Sequence, residues 1–275
     1  MQLLVSVRSA AEVGPALGGG ADIIDAKEPA RGSLGAVSPA TLGEILALVP
    51  PECPFSVALG DLASPQEVTT VFSSLDLPVR PGPTYLKLGV AGVRSPVMVA
   101  RILATAVRTL AEQGSTALVV AVAYADAGRA GTLAPEFISS TAQSAGAAGV
   151  LLDTHIKDGI GLLGWLAPAA LAAWVASARG QGLLTALAGG LTLEDLDTVC
   201  AAGAQVIGVR GAACEGGRQG QVTAKRVRAL RQRLEASASL PRSVFPQRCW
   251  PGGETRDEAA IPPMDNWAKS LKTNA

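Results

Sequence analysis

The hydrophobic pattern of residues 3–235 switches repeatedly between two kinds of segment. The first kind is short and almost wholly apolar, which is typical of a strand buried on both faces of a parallel sheet. Strands are predicted at 3–7, 22–27, 55–60, 85–89, 117–123, 149–154, 183–190 and 205–211. The second kind is longer and amphipathic, which is typical of a helix packed on such a sheet. Helices are predicted at 9–18, 38–48, 65–77, 95–113, 133–145, 165–179, 192–202 and 221–235.

Strict alternation of eight strands with eight helices leaves few folds open. It predicts parallel βαβ units, and about 250 residues is the usual length of a closed (β/α)8 barrel. The alternative is an open doubly wound sheet, which usually carries a glycine-rich turn after its first strand. Here "RSA" (8–10) follows the first strand, and Gly18-Gly19-Gly20 precedes a strand instead. We therefore predict an α/β fold, a (β/α)8 TIM barrel, over residues 1–235.

Charge and cysteine content exclude several classes of protein. The 23 basic residues balance the 23 acidic ones, whereas a nucleic-acid-binding surface would be basic and clustered. No apolar run reaches the roughly 18 residues that span a bilayer, and "MQLLVSVRSA" (1–10) lacks the basic region of a signal peptide. The four cysteines are widely spaced and the chain has one histidine, so no metal site is predicted. We expect a cytoplasmic, reduced protein.

Residues 236–275 differ from the rest of the chain. Proline and charged residues are scattered through them without a sustained hydrophobic period. Terminal segments of this kind are often disordered, but Trp250 and Trp267 would also allow docking on the barrel or on a neighbouring subunit. We predict a C-terminal extension in one of these two states. We also expect a homo-oligomer, because the outer helices are apolar enough to associate.

Three lysines lie at or after the ends of alternate predicted strands. Asp25 and Lys27 end the second strand, Lys87 lies on the fourth, and Asp153 and Lys157 are on and after the sixth. Alternate strands contribute side chains to one layer of a barrel interior, so these groups are expected to converge on one pocket. Burial and a neighbouring cation lower the pKa of a lysine, which favours Schiff-base chemistry on a carbonyl substrate. The alternative is a cluster that only binds an anion.

Small residues occupy the loops after the seventh and eighth strands. In barrel enzymes these loops frequently bind phosphate through backbone N–H groups. Gly189, Gly190, Gly211 and Ala212 would let a phosphate approach the backbone. Arg210 would either clamp the phosphate or pair with an acid on the rim.

Two further features border the predicted pocket. The loop at 28–37 is long for a βα connection, and its two glycines and Ser33 suggest either a lid that reaches a ligand or a plain surface loop. His155, between Asp153 and Lys157, is the usual type of general base. It has no second histidine with which to bind a metal. We predict that it packs at the barrel mouth and does not carry the chemistry.

Five motifs together resemble the (5-formylfuran-3-yl)methyl phosphate synthase family, also called 4-(hydroxymethyl)-2-furancarboxaldehyde-phosphate synthase. They are "GGADIIDAKEPARGSLGA" (19–36), "YLKLG" (85–89), "YADAGRAG" (124–131), "LLDTHIKDG" (151–159) and "VIGVRGAAC" (206–214). The resemblance implies a (β/α)8 barrel and a carbon–oxygen lyase acting on phosphates. Such an enzyme condenses two molecules of glyceraldehyde 3-phosphate into a furan, with loss of phosphate and water, for methanofuran-type one-carbon carriers.

The resemblance also implies roles for individual residues. Lys27 matches the family's Schiff-base lysine and Lys87 its proton acceptor, while Asp25, Asp153 and Lys157 match other pocket residues. No cofactor is implied, because an iminium serves as the electron sink. The family motif D-T-x-x-K-D-G does not require histidine at its third position.

Three alternatives remain open from the sequence. The imine could form on Lys157 instead, since class I aldolases often place this lysine on the sixth strand. The product could be an acyclic sugar phosphate, as in a class I aldolase acting on another triose or sugar phosphate. A non-catalytic barrel that binds phosphate is the third alternative, and it predicts that the lysines are dispensable.

Overall fold

The computed structural model describes residues 1–239 and contains a closed barrel of eight parallel strands. The strands are β1 (Gln2–Val7), β2 (Ile23–Ala26), β3 (Phe55–Asp61), β4 (Thr84–Gly89), β5 (Leu118–Tyr124), β6 (Gly149–Asp153), β7 (Leu184–Leu187) and β8 (Val206–Val209). Each strand pairs with the next along the chain, and β8 closes on β1 with Gln2 opposite Val206. The predicted (β/α)8 barrel is confirmed, while most of the predicted extension lies outside the described residues.

Helices connect the strands and surround the barrel. The longer ones are α2 (Pro39–Leu46), α3 (Pro65–Ser73), α4 (Pro96–Glu112), α6 (Pro135–Ser144), α8 (Pro168–Gly180) and α10 (Ala224–Ser239). The shorter ones are α1 (Val13–Gly18), α5 (Ala127–Ala130), α7 (Leu162–Trp165) and α9 (Leu196–Ala201). Within the described part of the chain, none of these helices has the length and hydropathy to cross a bilayer.

Serine before proline marks the start of three outer helices. The hydroxyl oxygens of Ser38, Ser64 and Ser95 each accept a hydrogen bond from the backbone N–H three residues on. The proline that follows lacks an N–H at a position where the helix has no acceptor for one. Each such cap stabilises its helix by about 1 kcal/mol.

The alternating direction of side chains along each strand separates two apolar regions. Leu3 and Val5 face outward and pack in the layer between barrel and helices. Leu4 belongs to a second cluster, which fills the lower interior of the barrel together with Ile23, Val120, Leu151 and Val206. The polar inward positions lie above this apolar layer, toward the carboxyl ends of the strands.

The structure differs from the predicted pattern in two strand ends and in one additional hairpin. Strands β2 and β8 end at Ala26 and Val209, earlier than predicted, so Lys27 and Arg210 lie just beyond them. Two-residue strands β9 (Cys214–Glu215) and β10 (Gln221–Val222) form a hairpin before α10. Strands of two residues leave no hydrophobic period to detect. This hairpin brings a new set of residues to the mouth of the barrel.

Candidate active site

A cavity of about 460 Å³ opens at the carboxyl end of the barrel. Lys27, Lys87, Asp153 and Lys157 line it, together with the loops after β7 and β8. Asp25 lies beneath its wall and has no exposed surface. The structure thus brings the three lysines and Asp153 together on one pocket, as expected, and places Asp25 behind its wall.

Lys87 and Asp25 form a buried ion pair at the base of the cavity. Lys87 Nζ lies 2.7 Å from Asp25 Oδ1, and Ser6 Oγ donates a hydrogen bond of 2.7 Å to Asp25 Oδ2. Among the residues that the structure describes, no donor is well aligned with Oδ1, so charge rather than a directed hydrogen bond holds the pair. Burial acts to raise the pKa of the Asp25 carboxyl, but the charges of Lys87 and Lys27 outweigh it and the pKa is lowered. Asp25 is therefore a fixed negative charge.

Lys157 and Asp153 form a second pair, nearer the mouth. Lys157 lies in the loop four residues beyond Asp153 and reaches back to it, with its Nζ donating to Asp153 Oδ1 at 2.6 Å and to Thr154 Oγ1 at 3.0 Å. Burial again acts to raise the pKa of Asp153, and the cations Lys157 and Lys27 lower it overall. The side chain of Lys157 is 17% exposed, so this pair is open to the cavity.

Lys27 differs from the other two lysines because its amine is unpaired. Among the described side chains, no carboxylate lies within 4.0 Å of its Nζ, and that atom makes no hydrogen bond. Lys27 is only 7% exposed. Burial is the main cause that lowers the pKa of Lys27, and the charges of Lys87 and Lys157 lower it further. The charges of Asp153 and Asp25 act in the opposite direction, and the pKa falls overall from 10.5 to about 8. Roughly a tenth of the amine is then neutral at pH 7, against about one part in three thousand for an ordinary lysine.

The loops after β7 and β8 expose backbone groups to the same cavity. Gly189 and Gly190 have φ angles of 107° and 65°, which disfavour other residues. Within the described chain, the backbone N–H groups of Gly190, Gly211 and Ala212 have no hydrogen-bond partner. All four small residues line the cavity. Free N–H groups on small residues are suited to binding an anion such as a phosphate.

Arg210 is paired rather than free. Its guanidinium contacts both carboxylate oxygens of Glu12, at 2.5 and 3.0 Å. It also donates to the backbone oxygens of Ser6, Arg218 and Gly220. All five of its N–H groups are thereby engaged, so the predicted phosphate clamp has no donor left. The acid is the buried Glu12 rather than one on the rim.

The hairpin after β8 supplies an arginine that the sequence analysis missed. Arg218 lines the cavity and is half-buried. Its Nη2 donates to the backbone oxygens of Pro29 and Gly32 in the long loop after β2, the first at 3.1 Å and the second at 2.5 Å. The hydrophobic pattern of the sequence does not mark Arg218, because the two-residue strands of the hairpin are too short to show a period.

His155 belongs to a polar cluster beside the cavity. Its Nε2 lies 3.7 Å from Asp61 Oδ2, and its ring meets the Tyr124 ring edge-on at 5.0 Å. The Tyr124 hydroxyl donates to Asp61 Oδ1 at 2.7 Å. Burial and the Asp61 charge raise the pKa of that hydroxyl well above its usual value. Ser33, in the loop for which the sequence allowed either a lid or a plain surface loop, is buried and donates to the Tyr124 hydroxyl at 3.3 Å.

Sequence comparison gives an independent result. The 4-HFC-P synthase family model matches residues 3–231. The (5-formylfuran-3-yl)methyl phosphate synthase of Methanothermobacter thermautotrophicus is 37% identical over 86% of this chain and all of that protein. The synthase of the same name from Methanocaldococcus jannaschii is 35% identical over 84% of this chain and 99% of that protein.

Solved structures of lower identity share the fold. The 3-hexulose-6-phosphate synthase of Salmonella typhimurium is 16% identical, with a TM-score of 0.57 over 86% of this chain and all of that one. Phosphoribosyl anthranilate isomerase of Thermus thermophilus is 17% identical, with a TM-score of 0.54 over 86% of this chain and 99% of that one. The barrel agrees with these structures, and the family follows from the sequence matches: the chain belongs to the 4-HFC-P synthase family of enzymes.

Proposed function

We propose that the protein condenses two molecules of glyceraldehyde 3-phosphate into (5-formylfuran-3-yl)methyl phosphate through a Schiff base on Lys27. The observation that carries this proposal is the state of Lys27, the one lysine of the three without a partner among the described residues, whose pKa is about 8. The product is the one in the names of the relatives. The balanced reaction releases one phosphate and two water molecules.

The chemistry begins with attack of the neutral Lys27 amine on the aldehyde carbon of the first triose phosphate. Loss of water gives an iminium, which withdraws electrons and acidifies the adjacent carbon. Removal of a proton from that carbon gives an enamine, whose carbon attacks the aldehyde of the second molecule. A new carbon–carbon bond forms, and the carbonyl oxygen of the second molecule takes up a proton.

The paired lysines are assigned the proton transfers. Lys87 and Lys157 both line the cavity that holds Lys27, so each can exchange a proton with a bound substrate. Asp25 and Asp153 hold these lysines by their ion pairs. The two carboxylates also favour the positive iminium, because their charges act on the Lys27 nitrogen.

The retained phosphate is assigned to the loops after β7 and β8. Gly190, Gly211 and Ala212 present free backbone N–H groups on the cavity that contains the lysines. A phosphate held there would keep its aldehyde end within the same enclosure as Lys27. We assign the product to the biosynthesis of methanofuran-type carriers.

Borohydride trapping tests the site of the imine. The wild-type protein is incubated with glyceraldehyde 3-phosphate, reduced with borohydride and mapped by peptide mass. We expect the label on the peptide that contains Lys27, and no label in Lys27→Met. Lys225→Met is the matched control, because Lys225 is an exposed lysine on α10. A label on Lys157 would move the imine to strand β6, contrary to the proposal.

Product analysis tests the reaction. A furan aldehyde absorbs in the ultraviolet through its conjugated ring, and its formation is accompanied by free inorganic phosphate. We expect one phosphate released for each furan formed. An acyclic product that retains both phosphates would identify an ordinary class I aldolase instead.

A further inference from the structure

We propose that a second cavity beside the lysine cavity binds the second phosphorylated aldehyde, and that Arg218 is the residue that binds its phosphate. This inference rests on the proposed function, which requires two phosphate esters at once. The second cavity has a volume of about 580 Å³. It lies between the loop at 28–37, Asp61 at the end of β3, and His155 in the loop after β6.

The two cavities adjoin each other. Lys157 and Arg218 line both of them, so these two side chains form a common wall. Lys27 and the free N–H groups of the β7 and β8 loops belong to the first cavity alone. A substrate in the second cavity would therefore meet a Lys27-bound partner at Lys157.

Arg218 has free donors at this common wall. Only its Nη2 is engaged, by the backbone oxygens of Pro29 and Gly32. Its Nε and Nη1 make no hydrogen bond, and no carboxylate lies within 4.0 Å of its guanidinium, within the described chain. A half-buried guanidinium with unused N–H groups is suited to a bidentate contact with phosphate.

The charge of the second cavity also favours an anion. Arg31, Lys157 and Arg218 contribute positive charge, and Asp61 is the single carboxylate on the cavity lining within the described residues. Asp61 Oδ1 accepts hydrogen bonds from the Tyr124 hydroxyl and from the backbone N–H of Ala91, and Oδ2 lies 3.7 Å from His155 Nε2.

The buried arginine explains how Arg218 is positioned. Arg210 Nε donates to the backbone oxygen of Arg218, and Arg210 Nη2 donates to that of Gly220. Glu12 holds Arg210 in turn. Arg210, which the sequence suggested as a phosphate clamp, is thus a positioning residue that fixes the hairpin carrying the actual clamp.

Inorganic phosphate is the probe for this site. Calorimetric titration of the wild-type protein, without substrate or borohydride, should reveal two phosphate sites, one on the β7 and β8 loops and one on Arg218. Arg218→Gln should retain one site and lose the other, with an affinity loss of about 10- to 100-fold for a missing charge-assisted hydrogen bond. Arg101→Gln is the matched control, since Arg101 is an exposed arginine on α4 that lines neither cavity, and it should retain both sites.

A second comparison separates phosphate binding from a purely structural role. Glutamine and lysine can both donate to the carbonyls of Pro29 and Gly32, but only lysine carries a charge. If Arg218 binds phosphate, Arg218→Lys should keep a phosphate affinity at the second site and a KM for furan formation close to those of the wild type. Arg218→Gln should raise that KM about 10-fold or more. Equal effects of the two variants would assign Arg218 to holding the loop and would refute the proposal.

Trapping of the imine keeps the two proposals distinguishable. Arg218→Gln should still form the borohydride-trapped adduct on Lys27, because the first substrate binds in the other cavity. If Arg218→Gln lost both imine trapping and furan formation, separate sites for the two substrates would be refuted. Failure of trapping in the wild type would refute the Schiff base instead, and the phosphate titration would still decide the second site. One phosphate site in the wild type, unchanged in Arg218→Gln, overturns the inference.

Discussion

Replacement of Lys27 by methionine should make the folded protein more stable near neutral pH while abolishing the imine. Methionine has a similar unbranched shape, and it removes a charge that burial disfavours. The pKa of Lys27 falls from 10.5 to about 8. At about 1.4 kcal/mol for each pKa unit, the protonated amine costs the folded state up to about 3 kcal/mol at pH 7. Lys27→Met should recover much of this free energy of unfolding.

The pH dependence of the gain follows from proton binding. Between pH 8 and 10.5 the unfolded lysine keeps its proton while the folded one has lost it. The unfolded state then binds more protons, so the stability that Lys27 costs is regained as the pH rises through this range. The advantage of Lys27→Met should therefore be full below pH 8 and should vanish near pH 10.5.

Urea unfolding at pH 7 and at pH 10 measures this effect, with the midpoint compared between variant and wild type. Lys157→Met is the contrasting control, because it strips Asp153 of its partner at 2.6 Å. Removing one member of a buried pair destabilises by up to about 3 kcal/mol at a site that is partly open. A Lys27→Met protein less stable than wild type at pH 7, or a difference that does not change with pH, would refute the assignment of Lys27 as a desolvated amine.

Three further outcomes follow from the site. The rate of borohydride trapping should rise with pH about a midpoint near 8, and Lys87→Met should move that midpoint upward because a cation near Lys27 is removed; a downward move would contradict this. Gly189→Ala should raise the KM for the phosphorylated substrate several-fold, because an alanine would be strained at the φ angle of 107° that the loop requires. Gly180→Ala, at an exposed position on α8, should leave KM unchanged. Glu12→Gln should lower the free energy of unfolding by about 3 kcal/mol by leaving Arg210 without its charge partner, as measured by urea unfolding.

The sequence predicted the barrel and the lysine cluster for the same reason. Side chains alternate along a strand, so Asp25 and Lys27 had to share a face, and parallel strands place their carboxyl ends at one side of a barrel. Local pattern is sufficient for such inferences. The state of each lysine was not accessible in this way, because pairing depends on side-chain distances between strands β2 and β4.

What the sequence could not predict are contacts between distant segments. Arg210 and Glu12 are 198 positions apart, and only the closure of β8 on β1 brings them together. The two-residue strands of the hairpin leave no period that would place Arg218 at the cavity. Of the two alternatives that the sequence left for Arg210, the structure shows pairing with an acid, and that acid is the buried Glu12.

The two acids explain how three lysines can share one small cavity. Three unpaired cations there would repel one another and would be disfavoured by burial. Asp25 and Asp153 each neutralise one lysine and leave Lys27 as the third. The two ion pairs therefore determine which lysine is left unpaired and available as the proposed nucleophile. With a third carboxylate near Lys27 its pKa would rise, and with one fewer acid a second amine would be released. The unpaired state of Lys27 is in this sense a property of the two ion pairs as much as of Lys27 itself.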